Sequence, residues 1–466
     1  MTRGSPAAAR ALAQGAGKTA TLIVACAATA LVLVIFTVPV TTVTGTAAQL
    51  GAGPGAQAWI LSAMSVGAAA GLLASGAIGD DYGRRRTFVW GMAVMAIASV
   101  VGALAGDPML LILARVAQGL GGAAVLACGL GLIGSAFPGD ELPHASGIWA
   151  ASLGAGVAAG PILTSGLDAL GGWTAPYWAS AVASAALGVA GRMYLAESRA
   201  ANPRRIDLAG TLLLSAGLAC LLAGMTQSRT GLSQPLVWLL IGGGVALLAG
   251  FVAVEARIAG PMLDLRLFRS PDFVGATVAA LASGAGVLAL MSLIPTVLER
   301  GYGVSPLAAA VMLLAWSGTT AIAAIGVRWL PLSPRVLLIG GLTGCAIGQL
   351  ATYGLTRDGS ALILLPGMFL CGIANGVLNA ALGRQAVASV PADRSAMGSG
   401  ANNTARYLGS GTGLTIAALL ITHAGSAGGV EGLLAGWRHA VLVSAVFSAV
   451  GALVVFLARD RTPRRA

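Results

Sequence analysis

The sequence has few charged and few aromatic residues, and this scarcity excludes a soluble domain. Only 9% of its 466 residues are charged and 5% are aromatic, whereas soluble globular chains carry about 25% charged residues. Hydrophobic residues make up 57% of the chain, which also excludes a disordered protein. The mean hydropathy of +0.86 fits many crossings of a bilayer at roughly 20 residues each. We therefore expect an all-α polytopic membrane protein.

Lysine is almost absent, and cysteines are few. Lys18 is the only lysine among 27 basic residues, and the arginines lie in short clusters between apolar runs. The net charge of +11 therefore indicates membrane orientation rather than nucleic-acid binding. The five cysteines lie far apart within apolar runs, without metal-ligand spacing or a disulfide framework. We expect neither a metal nor a cofactor.

Fourteen apolar runs are long enough to cross a bilayer. They cover residues 19–43, 56–79, 87–106, 108–136, 145–167, 175–196, 207–228, 236–257, 273–298, 306–328, 335–355, 360–384, 396–422 and 437–458. The runs must be helical because lipid cannot satisfy backbone polar groups. The longest connections flank runs seven and eight. We expect a tail at 1–18, a bundle at 19–196, a linker with two inserted spans at 197–272, a second bundle at 273–458 and a basic tail at 459–466.

The arginines also predict the orientation of the chain. With the termini inside, 20 basic residues fall in inside segments and 4 in outside loops, namely Arg229, Arg300, Arg357 and Arg438. Basic loops stay in the cytoplasm. We therefore expect a multi-pass protein of the cell membrane, surrounded by lipid, with both termini cytoplasmic.

The loop after the second run reads GAIGDDYGRRR. Its glycines permit a tight turn, and its first aspartate can pair with an arginine or meet a helix N-terminus. We predict a gating loop, although a simple basic turn is the open alternative. The residues concerned are Gly76, Asp80, Gly83, Arg84 and Arg85.

The fourth and fifth runs each carry an unusual stretch. Arg115 lies deep in an apolar run with Gln118 nearby, and a membrane-centred arginine costs roughly 2.5–3.5 kcal/mol, so it normally faces a cavity or a partner. We expect Arg115 to face the central cavity, with snorkelling to an interface as the alternative. In the fifth run Gly156, Gly160 and Pro161 allow close helix contact and a bend, although ordinary packing explains them equally.

Polar side chains also interrupt the runs near the C-terminus. Hydrogen-bonding groups are expensive against lipid, so we expect these side chains to face a cavity or another helix. Interhelical hydrogen bonding is an open alternative to substrate binding. The residues are Asn375, Asn379, Asn402, Asn403 and Arg406.

Three of these stretches, in this order, resemble signatures of the major facilitator superfamily: the charged loop, R-x-x-Q-G-x-G and the antiporter pattern G-x-x-x-G-P. The segment PMLDLRLF at 261–268 is similar to one in the fourteen-span drug–proton antiporter branch. The resemblance implies the major facilitator fold, with two six-helix bundles plus two inserted spans (14 transmembrane helices). It also implies a monomeric exporter of amphipathic drugs or secondary metabolites, which works by alternating access in exchange for protons and confers antibiotic resistance. Arg115 would then act in coupling and substrate binding.

The chain departs from this branch at two charged positions. Asp81 replaces the usual base of the loop, and Ile35 stands where the branch has an acidic residue in its first span. A proton carrier needs a carboxylate that titrates near the working pH. Glu299 is the best remaining candidate, and an interfacial glutamate paired with Arg300 is the open alternative.

Other functions fit the sequence less well. An importer or uniporter of a small metabolite would need more polar residues in its pocket, and Gly160 followed by Pro161 disfavours it. A non-transporting membrane sensor would need a signalling domain, which the sequence does not show. We do not expect an enzyme, because the three histidines lie near loops and no run contains a pair of carboxylates.

Overall fold

The computed structural model describes residues 6–200, 207–228, 231, 233–258 and 261–458. The regular structure of these residues is entirely helical, as the apolar runs predict. The two predicted tails lie partly or wholly outside the described residues. The helices are α1 (Pro6–Leu50), α2 (Pro54–Tyr82), α3 (Arg84–Ala103), α4 (Pro108–Ala136), α5 (Leu142–Gly171), α6 (Ala175–Tyr194), α7 (Leu208–Ser228), α8 (Pro235–Glu255), α9 (Pro271–Ala282), α10 (Ala289–Tyr302), α11 (Pro306–Gly326), α12 (Pro334–Leu350), α13 (Leu364–Ala388) and α14 (Ser395–Leu457).

Two of these helices have irregular geometry. A π-helical turn, Ser283–Leu288, joins α9 to α10, so that Pro271–Tyr302 forms one continuous apolar element. Within α14, Gly429 has φ 59° and ψ −133°, which only glycine adopts readily. The residue therefore separates two helical segments that correspond to the last two apolar runs.

In the described part of the chain, eleven helices are long and apolar enough to cross a membrane. The three predicted runs that are not among these eleven are 175–196, 335–355 and 396–422. The helix α12 spans only 17 residues. The other two runs carry many small or polar residues, including the asparagines and the arginine of the first part of α14. The structure thus supports a polytopic helical protein with at least these eleven apolar helices.

The helices pack in two groups. Helices α1–α6 contact one another, and we call them the N-terminal group; α9–α14 contact one another and form the C-terminal group. Between α2 and α4 the backbones approach so closely that a methyl group added at Gly67 or Gly119 would overlap a carbonyl oxygen of the other helix. Small residues allow this approach. The helices α7 and α8 pack on each other, and α7 also contacts α2 and α14.

The two groups meet along two seams. In one seam α2 and α4 pack against α14, and in the other α5 packs against α11 and α13. The charged loop after α2 lies at one end of the first seam. This end of the molecule, which we call the loop end, also contains the N-terminus of α14. The polar residues of α13 and α14 lie along the helices that form these seams.

Candidate functional site

Asp80, at the loop end, is fully buried between the two groups. Its Oδ1 accepts a hydrogen bond from the Ala396 N–H at 3.1 Å, and its Oδ2 accepts one from the Met397 N–H at 2.7 Å. These donors belong to the first turn of α14, which has no side-chain cap from its own sequence. The first turn of a helix has unpaired N–H groups and a partial positive charge. Asp80 of α2 therefore caps a helix of the other group.

Arg84 balances the charge of Asp80 and extends the contact. Its Nε donates to Asp80 Oδ1 at 2.7 Å, its Nη1 to Ser135 Oγ at 2.6 Å and its Nη2 to the Asp393 carbonyl at 3.1 Å. Asp393 lies two residues before α14, whereas Ser135 belongs to α4. One guanidinium thus connects α2, α3, α4 and the C-terminal group.

Asp81, where the chain departs from the related branch, pairs with Arg394. Arg394 Nη1 donates to Asp81 Oδ1 at 2.6 Å, and both side chains are about nine-tenths buried. The acidic substitution thus gains a basic partner in the segment before α14. Arg394 is not among the site residues predicted from the sequence. An unexpected acid and a lone arginine at the start of a run gave a signal, but only the fold shows that they meet.

The remaining residues of the predicted gating loop lie at the same place. A methyl group added at Gly76 would overlap the Ala396 carbonyl, so glycine allows α2 to touch α14. Gly83 has φ 122° and lies against the Glu197 carboxylate, which accepts a hydrogen bond from the Arg85 N–H at 3.0 Å. The structure brings all five predicted loop residues together at the loop end. Their role as a gate remains a prediction.

Arg115 is fully buried inside the N-terminal group. Its Nη1 donates to the Ile35 carbonyl at 2.7 Å and to Gln118 Oε1 at 2.9 Å, and its Nη2 donates to the Phe36 carbonyl at 3.0 Å. The Ile35 carbonyl has no partner within α1, because Pro39, four residues later, has no N–H. Arg115 therefore satisfies a carbonyl that proline leaves free. The sequence predicts that Arg115 faces a central cavity. In the structure its guanidinium is directed at the backbone of α1.

Gln118 continues this polar cluster towards α3. Its Nε2 donates to Ser99 Oγ at 2.9 Å, and Ser99 donates in turn to the Met95 carbonyl. The cluster links α1, α3 and α4 through buried hydrogen bonds. Its part in coupling or substrate binding remains a prediction.

The glycines of the antiporter pattern lie where α5 packs on α1. A methyl group added at Gly156 would lie 2.5 Å from the Ala30 carbonyl oxygen, and one at Gly160 would overlap Thr37 Oγ1. The buried Pro161 lies in the same helix, and one turn farther Thr164 hydrogen-bonds Thr41 at 2.8 Å between hydroxyls. The pattern thus lies at a close helix contact within the N-terminal group.

Three of the four asparagines predicted as site residues form hydrogen bonds with other groups of the protein. Asn402 Nδ2 donates to the Ala276 carbonyl of α9 at 3.3 Å, and Asn403 Nδ2 donates to the Ser399 carbonyl at 3.0 Å. Asn375 Nδ2 lies 3.4 Å from Thr320 Oγ1. These contacts favour interhelical or intrahelical bonding for the three residues. Asn379 is buried one turn before Gly383, which faces the Trp149 ring of α5.

Arg406 lies at the boundary of the two groups. It follows Ser399 by seven residues, so both lie on one face of α14, and Ser399 donates to the Leu126 carbonyl of α4. The side chain of Arg406 is 7% exposed. Next to it, the Tyr407 ring approaches Phe36 of α1 with centroids 6.4 Å apart. Phe36 is a residue of this region that the sequence analysis did not single out.

Glu299 is exposed near the C-terminal end of α10. In sequence it is far from the residues of the charged loop. The ion pairs found among the described residues join it neither to Arg115 nor to Arg300. The structure thus does not bring Glu299 and Arg115 together. No cluster of three or more potential metal ligands occurs in the part of the chain that was searched.

Comparison with known proteins identifies the family. The family description of the Major Facilitator Superfamily matches residues 19–414 and 276–466. The chain is 30% identical over 362 residues to the multidrug resistance protein Stp of Mycobacterium tuberculosis, covering 77% of this chain and 67% of Stp. It is also 30% identical over 418 residues to the cephamycin export protein CmcT of Amycolatopsis lactamdurans, covering 86% and 84%.

A solved structure has the same fold. The solved structure of the proton:xylose symporter XylE superposes with a TM-score of 0.70 at 12% identity, covering 95% of this chain and 96% of XylE. At this identity the likeness concerns the fold alone. The family match, however, spans most of the sequence. The chain therefore belongs to the Major Facilitator Superfamily.

Proposed function

We propose that this member of the superfamily exports small amphipathic drugs or secondary metabolites through the cell membrane by alternating access. The relatives named for multidrug resistance and cephamycin export support this proposal. The structural observation that carries it is the cap that Asp80 of one helix group places on α14 of the other. Such a contact exists in one arrangement of the two groups and must break in the opposite one.

The proposal includes fourteen transmembrane helices. Helices α1–α6 and the C-terminal group are two six-helix bundles, and α7 and α8 are the inserted pair. The excess of arginines at the loop end supports a cytoplasmic position for that end and for both termini. The protein acts as a monomer in the bilayer.

In the proposed cycle, the loop end is closed to the cytoplasm in the described arrangement. The bonds of Asp80 and Arg84 to the segment around the start of α14, and the ion pair of Asp81 with Arg394, hold it closed. When the bundles rock, these contacts separate and admit substrate from the cytoplasm. When the contacts form again, the substrate is released outside.

Proton entry is the proposed energy source, by analogy with the related branch. Glu299 is the candidate proton carrier and Arg115 the candidate coupling residue. Glu299→Gln should then lose accumulation driven by a pH gradient and keep downhill exchange in reconstituted vesicles. Full gradient-driven transport by this variant would remove Glu299 from the mechanism.

The test of export itself is a resistance screen in a host that lacks its own efflux pumps. Expression of the chain should raise tolerance to some amphipathic drugs, and Arg115→Ala should insert equally well but lose this tolerance. The physical reason is that removing Arg115 leaves the Ile35 carbonyl, which has no partner within α1, without its donor. Faster counterflow of a small nutrient, without any gain in tolerance, would favour an importer instead.

A further inference from the structure

Among the described residues, Arg115 and Arg406 are buried far from the ends of the apolar runs that contain them, and they differ in their partners. Arg115 donates to three acceptors, which are the carbonyls of Ile35 and Phe36 and the side chain of Gln118. Arg406 Nε is buried without any acceptor. Within the described residues, no hydrogen bond or ion pair of the Arg406 guanidinium is found either. The Nε of Arg115 is unpaired as well, so the difference lies in the terminal nitrogens, which have protein acceptors in Arg115 and none in Arg406 within the described part of the chain.

Arg406 lies on α14, one of the helices that form the seam between the two groups, and its backbone carbonyl packs against Gly284 of the π-helical turn. It lies on the face of α14 that meets α4 two turns earlier, at Ser399. The adjacent Tyr407 approaches Phe36 across the same seam, and both rings are only partly buried. Trp59 of α2 belongs to the same apolar surroundings as Tyr407. Arg406 is thus the direct neighbour in sequence of an aromatic residue that meets Phe36 across the seam.

The distribution of carboxylates makes this position electropositive. The described ion pairs use acids at the ends of helices or in connecting segments, such as Asp80 with Arg84 and Asp81 with Arg394. In the part of the chain that the structure covers, none of these acids reaches Arg406. A buried charge without partners is expensive. An anionic ligand lowers this cost, whereas a cationic ligand increases it.

We propose that Arg406 binds an anionic group, a carboxylate or sulfonate, of the transported compound, while Phe36 and Tyr407 contact its apolar ring body. The fork of a guanidinium matches such groups with two parallel hydrogen bonds. The substrate class is therefore an aromatic or otherwise apolar organic anion. This inference rests on the proposed export function and specifies its substrate.

The test uses two xanthene dyes of similar shape and opposite charge, carboxyfluorescein as the anion and rhodamine 6G as the cation. The full chain is reconstituted in liposomes, and the transport of each dye is measured at equal protein content. The wild type should prefer the anion. Arg406→Gln should lower anion transport about tenfold or more, because a charge-assisted bond is lost, and Arg406→Lys should keep part of the preference.

Two further variants separate recognition from folding. Arg406→Glu should lose anion transport and gain cation transport, which a misfolded protein could not do. Arg438→Gln removes an arginine of the second segment of α14, beyond Gly429, and it should transport the anion like the wild type. Anion transport by Arg406→Gln at the wild-type rate would overturn the proposal.

The same assay distinguishes this inference from the proposed function. If the wild type exports rhodamine 6G and not carboxyfluorescein, export holds and anion recognition is wrong. If neither dye moves through the wild type, the proposed export of amphipathic compounds of this size fails, and the anion site fails with it.

Discussion

Asp80 holds the first turn of α14 with a carboxylate that belongs to the other helix group. Asp80→Asn keeps one acceptor but removes the charge that interacts with the helix N-terminus. The loss should weaken closure by about 1–2 kcal/mol, which increases the open population about tenfold. The readout is thiol labelling of Ser399→Cys, a buried seam position, in a chain whose five native cysteines are replaced.

The control for this prediction is Asp393→Asn. Asp393 lies in the same segment, but its side chain is 46% exposed and ion-pairs only weakly, at 3.8 Å from Arg394 Nε. Exposed pairs contribute little to stability. Equal labelling of Ser399→Cys in all backgrounds would show that Asp80 serves orientation or folding and not gating.

Gly156 and Gly160 should respond differently to the same substitution. A methyl group at Gly156 meets a backbone carbonyl of α1, whereas at Gly160 it meets the hydroxyl of Thr37. A backbone group cannot rotate away, but a side chain can be shortened. We therefore expect Gly156→Ala to abolish transport, and Gly160→Ala to impair it in a way that Thr37→Ala relieves.

Transport and the amount of folded protein in the membrane are the measurements for this pair. Gly160→Leu should abolish transport with or without Thr37→Ala, since its side chain also meets the α1 backbone. If Thr37→Ala does not improve Gly160→Ala, the close contact seen at Thr37 does not limit function.

Single residues show what sequence can and cannot predict. The pattern around Arg115 predicted that it needs partners, but its acceptors are carbonyls 79 and 80 positions away in α1. Which carbonyls are free depends on Pro39, and which helix lies opposite depends on the fold. The same reason explains why Asp81 could not be matched with Arg394, 313 positions later.

Among the helical elements, α2 and the segment before α14 are joined by the ion pair of Asp81 and Arg394. Breaking one partner of a buried pair leaves an uncompensated charge, which is strongly destabilising. Asp81→Arg or Arg394→Asp alone should therefore open the loop end and lower transport. The double variant restores opposite charges and should recover most of the activity.

This prediction is checked by transport assays on the two single variants and the double variant. The neighbouring ion pair of Asp80 with Arg84 stays intact in all of them and serves as the internal reference. Additive losses in the double variant would mean that the two side chains do not interact in the working protein.

The elements themselves follow largely from apolar runs, with instructive exceptions. Hydropathy locates helices but not their ends, so α1 begins at Pro6, well before the predicted residue 19. It also cannot reveal the π-helical turn at Ser283–Leu288 or the continuation of helix up to Gly429. These features depend on packing and backbone geometry, which leave no regular pattern in the sequence.

At the scale of the whole molecule, the loop end and the middle of the structure differ in how their charges are paired. Acids and bases pair at the loop end, whereas the middle of the described structure contains the arginines 115 and 406 without a carboxylate partner. The family resemblance predicted the fold, but the identity of each partner required the assembled helices. This charge pattern is the basis of the proposed preference for anions.

The last prediction restores the carboxylate that the related branch has in its first span. Ile35 is fully buried, and its carbonyl accepts a hydrogen bond from Arg115, so an aspartate at this position would belong to the turn of α1 that Arg115 contacts. A carboxylate beside a buried arginine can exchange protons as its surroundings change. Ile35→Asp should therefore increase accumulation driven by a pH gradient, whereas Ile35→Asn, equally polar but without a titratable group, should not. The measurement is substrate accumulation in reconstituted vesicles with and without the gradient. Equal gradient dependence of the two variants would show that an acid at this position of α1 does not couple protons to transport in this protein.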